Sequence, residues 1–460
     1  MSEPILLPLD VPEMAFGVSG GGSIQRTILP AGVRILTESM PGAVSATLGF
    51  WVAVGSRDEV AAAEGADGSH AGSLGSTHFL EHLLFKGTPT RTAFDIAEAF
   101  DSVGGEHNAM TAKEYTCYYA KVRGSDLEMS VRVMSDMITS SLIDADEFET
   151  ERGVILEELA MAEDDPSDVA HERLAEAVLG AHPLGRPIGG NAETIEAATR
   201  DAVVDHYRAN YRPNDLVISA AGAVDHASLV AWVTRELELA GWDLGVTAAP
   251  VSRRSRERAT LSGSVPLVTV AKPIEQANIG IGFPGLTSTD DRRAVMSAMS
   301  GILGGGMSSR LFQEVREKRG LAYSVYSFSS AYSDAGMFGM FSSASPSKAV
   351  EVAQVMRDEF LALADKGVTA KELERVKGQL AGASALALED TDTRMTRLAR
   401  AEIGSGEFFS YEASMDWLNA VTAKDIHDLA GDIAAGPMSL VAVGKLNAGE
   451  LEHLVEGANR

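Results

Sequence analysis

The residues best suited to chemistry are His78-Phe79-Leu80-Glu81-His82. Two histidines four apart, with a glutamate three after the first, fall on one face of a helix. Imidazole nitrogens are good zinc ligands, and a carboxylate beside the metal can take a proton from water there. The order H-x-x-E-H reverses H-E-x-x-H, itself a zinc-binding helix pattern. The flanks predict a helix: Ser76 or Thr77 can cap its start, and Lys86-Gly87 followed by Pro89 stops it. Phe79, Leu83 and Leu84 can pack away from the polar face.

A zinc site needs a third protein ligand, and a catalytic one leaves its fourth position to water. Residues 144–159 predict a second helix, with acidic residues crowding its start where they suit the dipole. Phe148, Ile155 and Leu159 form its apolar stripe. Glu151 and Glu158 lie seven apart and share a face two turns apart, so this helix offers carboxylate ligands. Asp164-Asp165-Pro166 ends or bends it.

The run HFLEHLLFKGTPTRTAFDIAEAFDSVGGEHNAMTAKEYTCYYAKV, followed by ERGVILEELAMAEDDP, resembles the pitrilysin family. Within that family it is most similar to the branch of the mitochondrial processing peptidase and its bacterial relatives. The resemblance extends from about Gln25 to about Asn447. It implies that Glu158, in an E-R-x-V-I-x-x-E segment with 75 residues between it and His82, is the third ligand. It further implies one Zn2+ per chain on His78, His82 and Glu158, with Glu81 as general base and Glu151 supporting the site.

The activity so implied is zinc-dependent endopeptidase cleavage of extended peptides or unfolded polypeptides inside a closed chamber. Asn108 and Ala109 match the family's N-A-x-T segment, on an edge strand to which the peptide adds as a further strand. Asn108 reads equally well as a turn residue after Gly105. Arg316 and Tyr323, seven apart, match a pair that relatives set opposite the zinc, where guanidinium and hydroxyl can hold the substrate carbonyl or its developing oxyanion. The plain alternative is a helix-end arginine and a core tyrosine. A chain of this length implies a dimer, and one carrying both residue sets implies a self-sufficient homodimer. The alternative function is a non-catalytic scaffold or peptide-binding subunit of a larger complex.

Elements must position these residues. The 460 residues exceed one core. The expected fold is α+β, with two homologous domains, each a mostly antiparallel sheet covered by helices. Thr369-Ala370-Lys371-Glu372-Leu373 echoes Asp144-Ala145-Asp146-Glu147-Phe148 at an offset of 225, so the second half repeats the first without its H-x-x-E-H. The expected boundaries are a flexible N-terminal tail over 1–24, the zinc-binding domain over 25–240, a linker over 241–264 and the second domain over 265–460. The basic run Arg253-Arg254-Ser255-Arg256-Glu257-Arg258 reads as solvated linker. Asn108 to Val122 reads as one strand. Residues 61–75, rich in Ala, Gly and Ser, read as a surface insertion or a gate beside the zinc helix. His70 within it is a lesser candidate for metal contact.

The formal charge of -26 argues against a phosphate-binding surface and excludes nucleic acid as the expected partner. Cys117 is the single cysteine, so no intrachain disulfide forms, and its strand-like surroundings make it a core residue. The glycines at 304–306 lack the Gly-Lys-Ser/Thr ending of a phosphate loop. No apolar run is long enough for a membrane span, and the N-terminus carries neither a secretory nor a transit pattern, so cytoplasm is expected.

Overall fold

In the computed structural model, which describes residues 3–18, 21–60 and 73–456, two sheets share one topology. The first half runs β1 (Ile5–Leu6), β2 (Glu13–Gly17), β3 (Ser23–Ile28), β4 (Arg34–Ser39), β5 (Ser45–Val52), α1 (Ser76–Leu83), α2 (Ala93–Asp101), β6 (Glu106–Thr111) and β7 (Thr116–Arg123). It continues through α3 (Leu127–Ser140), α4 (Ala145–Asp164), α5 (Pro166–Leu179), α6 (Ala192–Ala197), α7 (Arg200–Asn210), β8 (Leu216–Gly222) and α8 (His226–Leu239). The second half runs β9 (Leu267–Ala271), β10 (Ala277–Pro284), α9 (Arg293–Gly304), β11 (Ala322–Ala331), β12 (Gly336–Ala344), α10 (Ala349–Lys366) and α11 (Ala370–Ala387). It closes with α12 (Thr391–Arg400), β13 (Glu407–Phe408), α13 (Tyr411–Ala420), α14 (Ala423–Ala434), β14 (Ser439–Gly444) and α15 (Ala448–Val455).

Among the described residues, the first sheet has the order β2-β3-β4-β8-β5-β7-β6 and the second β9-β14-β10-β12-β11. Set β4-β8-β5-β7-β6 beside the second sheet and each strand has its counterpart. Even the one parallel pair recurs, β4 with β8 and β9 with β14. The offset of 225 holds for helices too: α4 starts at Ala145 and α11 at Ala370, α5 at Pro166 and α12 at Thr391. The sequence echo therefore marks a true internal repeat.

Each sheet buries one face under its own helices, giving two apolar cores. The other faces are covered by exchange. Val169, Leu174 and Val178 of α5 pack on Met337, Phe341 and Val441 of the second sheet. Met395, Leu398 and Ala399 of α12 pack on Leu36, Trp51 and Val217 of the first. Asp165 makes the first exchange possible. It ends α4 and caps α5, accepting from the Ser167 and Asp168 backbone N–H groups, with Pro166 in the first turn.

Three expectations are corrected. Residues read as a flexible tail instead supply β1, which pairs with β13, and β2, the outer strand beside β3. Arg26 fixes that segment by donating to the Pro8 and Val11 carbonyls at 2.7 and 2.6 Å. The single strand over Asn108–Val122 is a hairpin, β6 and β7, because Lys113 and Glu114 form a turn closed by Ala112 N–H to the Tyr115 carbonyl. The basic linker is a strap. Arg253 pairs with Glu402, Arg254 with Asp58 and Arg256 with Glu407, and Arg258 donates to the Gly285 carbonyl. All four guanidiniums find partners on folded elements; Arg253 and Arg254 are largely withdrawn from solvent, while Arg256 and Arg258 stay exposed.

Of the insertion 61–75, residues 61–72, with His70, lie outside the described residues. No helix among the described residues is long and apolar enough to cross a membrane.

Candidate active site

α1 is short, and its start is held from outside. Gly75 sits at the N-cap with φ +91, a backbone state open to glycine, and a Cβ there would press on Ile195 and the Gly189 carbonyl. Ser76 and Thr77, the expected caps, are instead the first helical residues. Glu59 does the capping, accepting from Gly75 N–H at 2.8 Å and Thr77 N–H at 2.7 Å. Glu59 is 3% exposed; burial pushes its pKa up to about 7, against the pull of those two N–H groups.

Phe79 of α1 stacks on Phe148 of α4 with ring centroids 4.3 Å apart. Phe79, Leu80 and Leu83 are fully buried, so α1 turns its histidine face toward α4. There His82 Nε2 lies 3.4 Å and His78 Nε2 3.8 Å from Glu158 Oε2. The three residues offer ligand atoms all within 4.8 Å of one another. A tetrahedral zinc with bonds of about 2.0–2.2 Å sets its ligand atoms roughly 3.3–3.6 Å apart. The His82–Glu158 separation matches that and the His78–Glu158 one is slightly wider, so a small side-chain adjustment lets the donor set hold that ion.

The protonation pattern suits it as well. Glu151 is buried with its Oε2 2.9 Å from His82 Nδ1, and a carboxylate accepting from an Nδ1–H there leaves the Nε2 lone pair free to face Glu158 and a metal. Lys86 pairs with the other Glu151 oxygen. Burial and the neighbouring His82 lower the His78 pKa to about 4, keeping that ring neutral, the form that binds metal. The Glu158 side chain is 47% exposed and stands at the open side of the group.

Glu81 stands apart from the ligand set. Its Oε2 accepts from the Thr111 hydroxyl on β6. Burial raises its pKa above the ordinary carboxylate value, while the Thr111 bond and His82 pull the other way. A buried, basic carboxylate beside two imidazoles can shuttle protons rather than hold the metal.

β6 has β7 on one side and, among the described residues, no strand on the other, the free edge that strand addition requires. Asn108 is exposed on it, its Oδ1 accepting from Ala109 N–H at 2.8 Å, while Ala109 packs against the first core. Arg316 lies in a π-helical turn, Phe312–Lys318, and Tyr323 near the start of β11, the edge of the second sheet. The guanidinium lies 4.1 Å from the Tyr323 ring centroid and donates to its carbonyl at 3.3 Å. Tyr323 is 79% exposed, so it is no core residue. Among the described residues, no bond or ring contact joins this pair to the histidine group.

Three contributors escape the sequence reading. Glu59 acts across the insertion and has no local signature. Lys86 reads there as a helix stop. Thr111 had a signal available: it is the threonine of the same N-A-x-T segment that singles out Asn108 and Ala109.

Sequence comparison places residues 34–192 under a family described as "Insulinase (Peptidase family M16)" and residues 197–380 under "Peptidase M16 inactive domain". An uncharacterized zinc protease of Streptomyces coelicolor is 45% identical over 94% of this chain and 91% of its own length. One of Mycobacterium tuberculosis is 42% identical over 88% and 90%. The crystal structure of a peptidase M16 inactive domain from Pseudomonas fluorescens shares the fold, with a TM-score of 0.79 over 92% of this chain and 99% of that one at 20% identity.

Proposed function

The chain belongs to peptidase family M16, and from that premise we propose that it is a zinc-dependent endopeptidase acting on extended or unfolded polypeptides. The observation that carries the reading is the convergence of His78, His82 and Glu158, with Glu81 beside them and outside the ligand set. Those three residues would hold the ion. Zinc there would supply Lewis acidity, polarising the scissile carbonyl and acidifying a water.

The chain's own residues do the rest. Glu81 takes the proton of the attacking water and returns it to the leaving amine nitrogen. Thr111 holds the Glu81 carboxylate, and Glu151 fixes the His82 ring. The free edge of β6, with Asn108 and Ala109, would receive the peptide as an added strand, so that backbone bonds hold it with little demand on sequence. Two copies would close a chamber, in which Arg316 and Tyr323 of one face the zinc group of the other and hold the developing oxyanion.

An unstructured peptide of 20 or so residues, incubated with zinc-loaded protein and read by mass spectrometry, tests the reading. Internal cuts that cease on chelation and return with zinc are expected. A zinc-loaded protein that leaves every such peptide intact would point to a scaffold or peptide-binding subunit instead.

A further inference from the structure

Arg34 opens β4 and is 1% exposed, yet few of its donors are used. Its Nη2 reaches the Asp215 carbonyl at 3.4 Å, its Nη1 lies 3.8 Å from Glu402 Oε1, and its Nε has no partner. Glu402 is fully buried and already takes Arg26 at 3.1 Å and Arg253 at 3.2 Å. Three guanidiniums thus surround one carboxylate. Asp215 brings its charge near but is bound by both guanidinium arms of Arg212. Burial, with Arg253 and Arg26 adding to it and Glu402 opposing, lowers the Arg34 pKa to about 10.

Arg34 and Arg253 line a cavity of about 220 Å3, the space of several waters, together with Arg254, Asp58, Asn210 and Ser252. Arg254 and Asp58 neutralise each other at 2.7 Å, and Arg254 Nε has no hydrogen-bond partner. The remaining excess is positive. A buried guanidinium with unmade donors is costly, and its planar fork matches oxyanions. We propose that this cavity is a binding site for a small inorganic oxyanion of the phosphate class, held by the unused donors of Arg34 beside the positive charge of Arg253. The Nε and Nη2 of Arg253 already donate to the Glu402 and Leu7 carbonyls at 2.6 Å. β4, the strap that carries Ser252 to Arg254, and Ile403 of the second half's π-helical turn Ala401–Ser405 all border it. The anion would therefore pin the strap to both halves. This site is separate from the histidine group and stands whether or not the chain is a peptidase.

The test is thermal unfolding of the full chain in millimolar inorganic phosphate against chloride at matched ionic strength, with and without prior chelation of metal. A saturable rise of about 2 °C or more, specific to phosphate and surviving chelation, is expected. Equilibrium dialysis should find about one phosphate per chain, following that one-site reading. Ser252→Asp, which sets a carboxylate at the cavity rim, should raise the midpoint without phosphate and abolish the phosphate increment. Arg34→Met should abolish binding; if it does not fold, wild type and Ser252→Asp decide. Equal midpoints in phosphate and matched chloride, or an undiminished increment in Ser252→Asp, would overturn the proposal.

Discussion

Glu81 and Glu158 are both carboxylates beside the same two imidazoles, and their surroundings separate them. Glu158 is half exposed and reaches both Nε2 atoms, while Glu81 is tied to Thr111. Glu158→Gln should weaken zinc binding by at least about tenfold by equilibrium dialysis, and Glu151→Gln, one bond further out, by about 10–100-fold in affinity or activity. Zinc binding at the wild-type level in both would remove them from the metal's support. Glu59 gives a pH prediction. Its carboxyl titrates near 4.5 unfolded and about 7 folded, so between these values the native state holds more protons and stability falls as pH rises. Glu59→Gln cannot titrate. In thermal melts its midpoint should therefore improve relative to wild type from about pH 4.5 to 7; a pH-independent difference would contradict the burial argument. The helix face of His78, Glu81 and His82 was legible because spacing alone fixes it. The bonds of Glu59, Lys86 and Thr111 were not, since each joins the site across sequence distances that no periodicity reports.

α5 and α12 are the elements that make one body of two repeats. Leu174 of α5 is fully buried against a sheet formed entirely by the other half. Leu174→Ala should cost about 2–5 kcal/mol and speed amide hydrogen exchange in β10, β12 and β14. Protection lost only in the first half would contradict the exchange of helices. Of these two helices the sequence reading marks only the Asp-Pro break ahead of α5, a local signal, and places no helix over α5 or α12. It is silent on which sheet each helix covers, as an apolar face does not name its partner. The same limit explains the corrected tail. A Gly-, Pro- and Ser-rich stretch reads as mobile until Arg26 is seen to bind its carbonyls. The β6–β7 turn was hidden by the high strand propensity around Lys113 and Glu114.

At the scale of the whole molecule, the repeat carries the histidine group once, on α1 and α4 of the first half, and the Arg316–Tyr323 pair once, in the second half. That division suits two chains facing unlike halves across a chamber. Glu81→Gln and the double variant Arg316→Ala with Tyr323→Phe should each be inactive. Dissociated, mixed equally and allowed to re-pair, they should recover roughly a quarter of wild-type activity, since half the dimers would carry one intact site in two. No recovery, with subunit exchange verified, would place the pair's action within its own chain or remove it from catalysis. An enclosed edge-strand site should also cut unfolded chains and spare stably folded domains. Rapid internal cleavage of a rigid folded domain would count against enclosure.

The most direct test of the central claim is zinc content and peptide turnover measured together on Glu81→Gln. The account predicts about one zinc per chain, because Glu81 is no ligand, with turnover lowered by about two orders of magnitude or more through loss of the general base. A variant that keeps its zinc and cuts at the wild-type rate, or that loses its zinc, would contradict it.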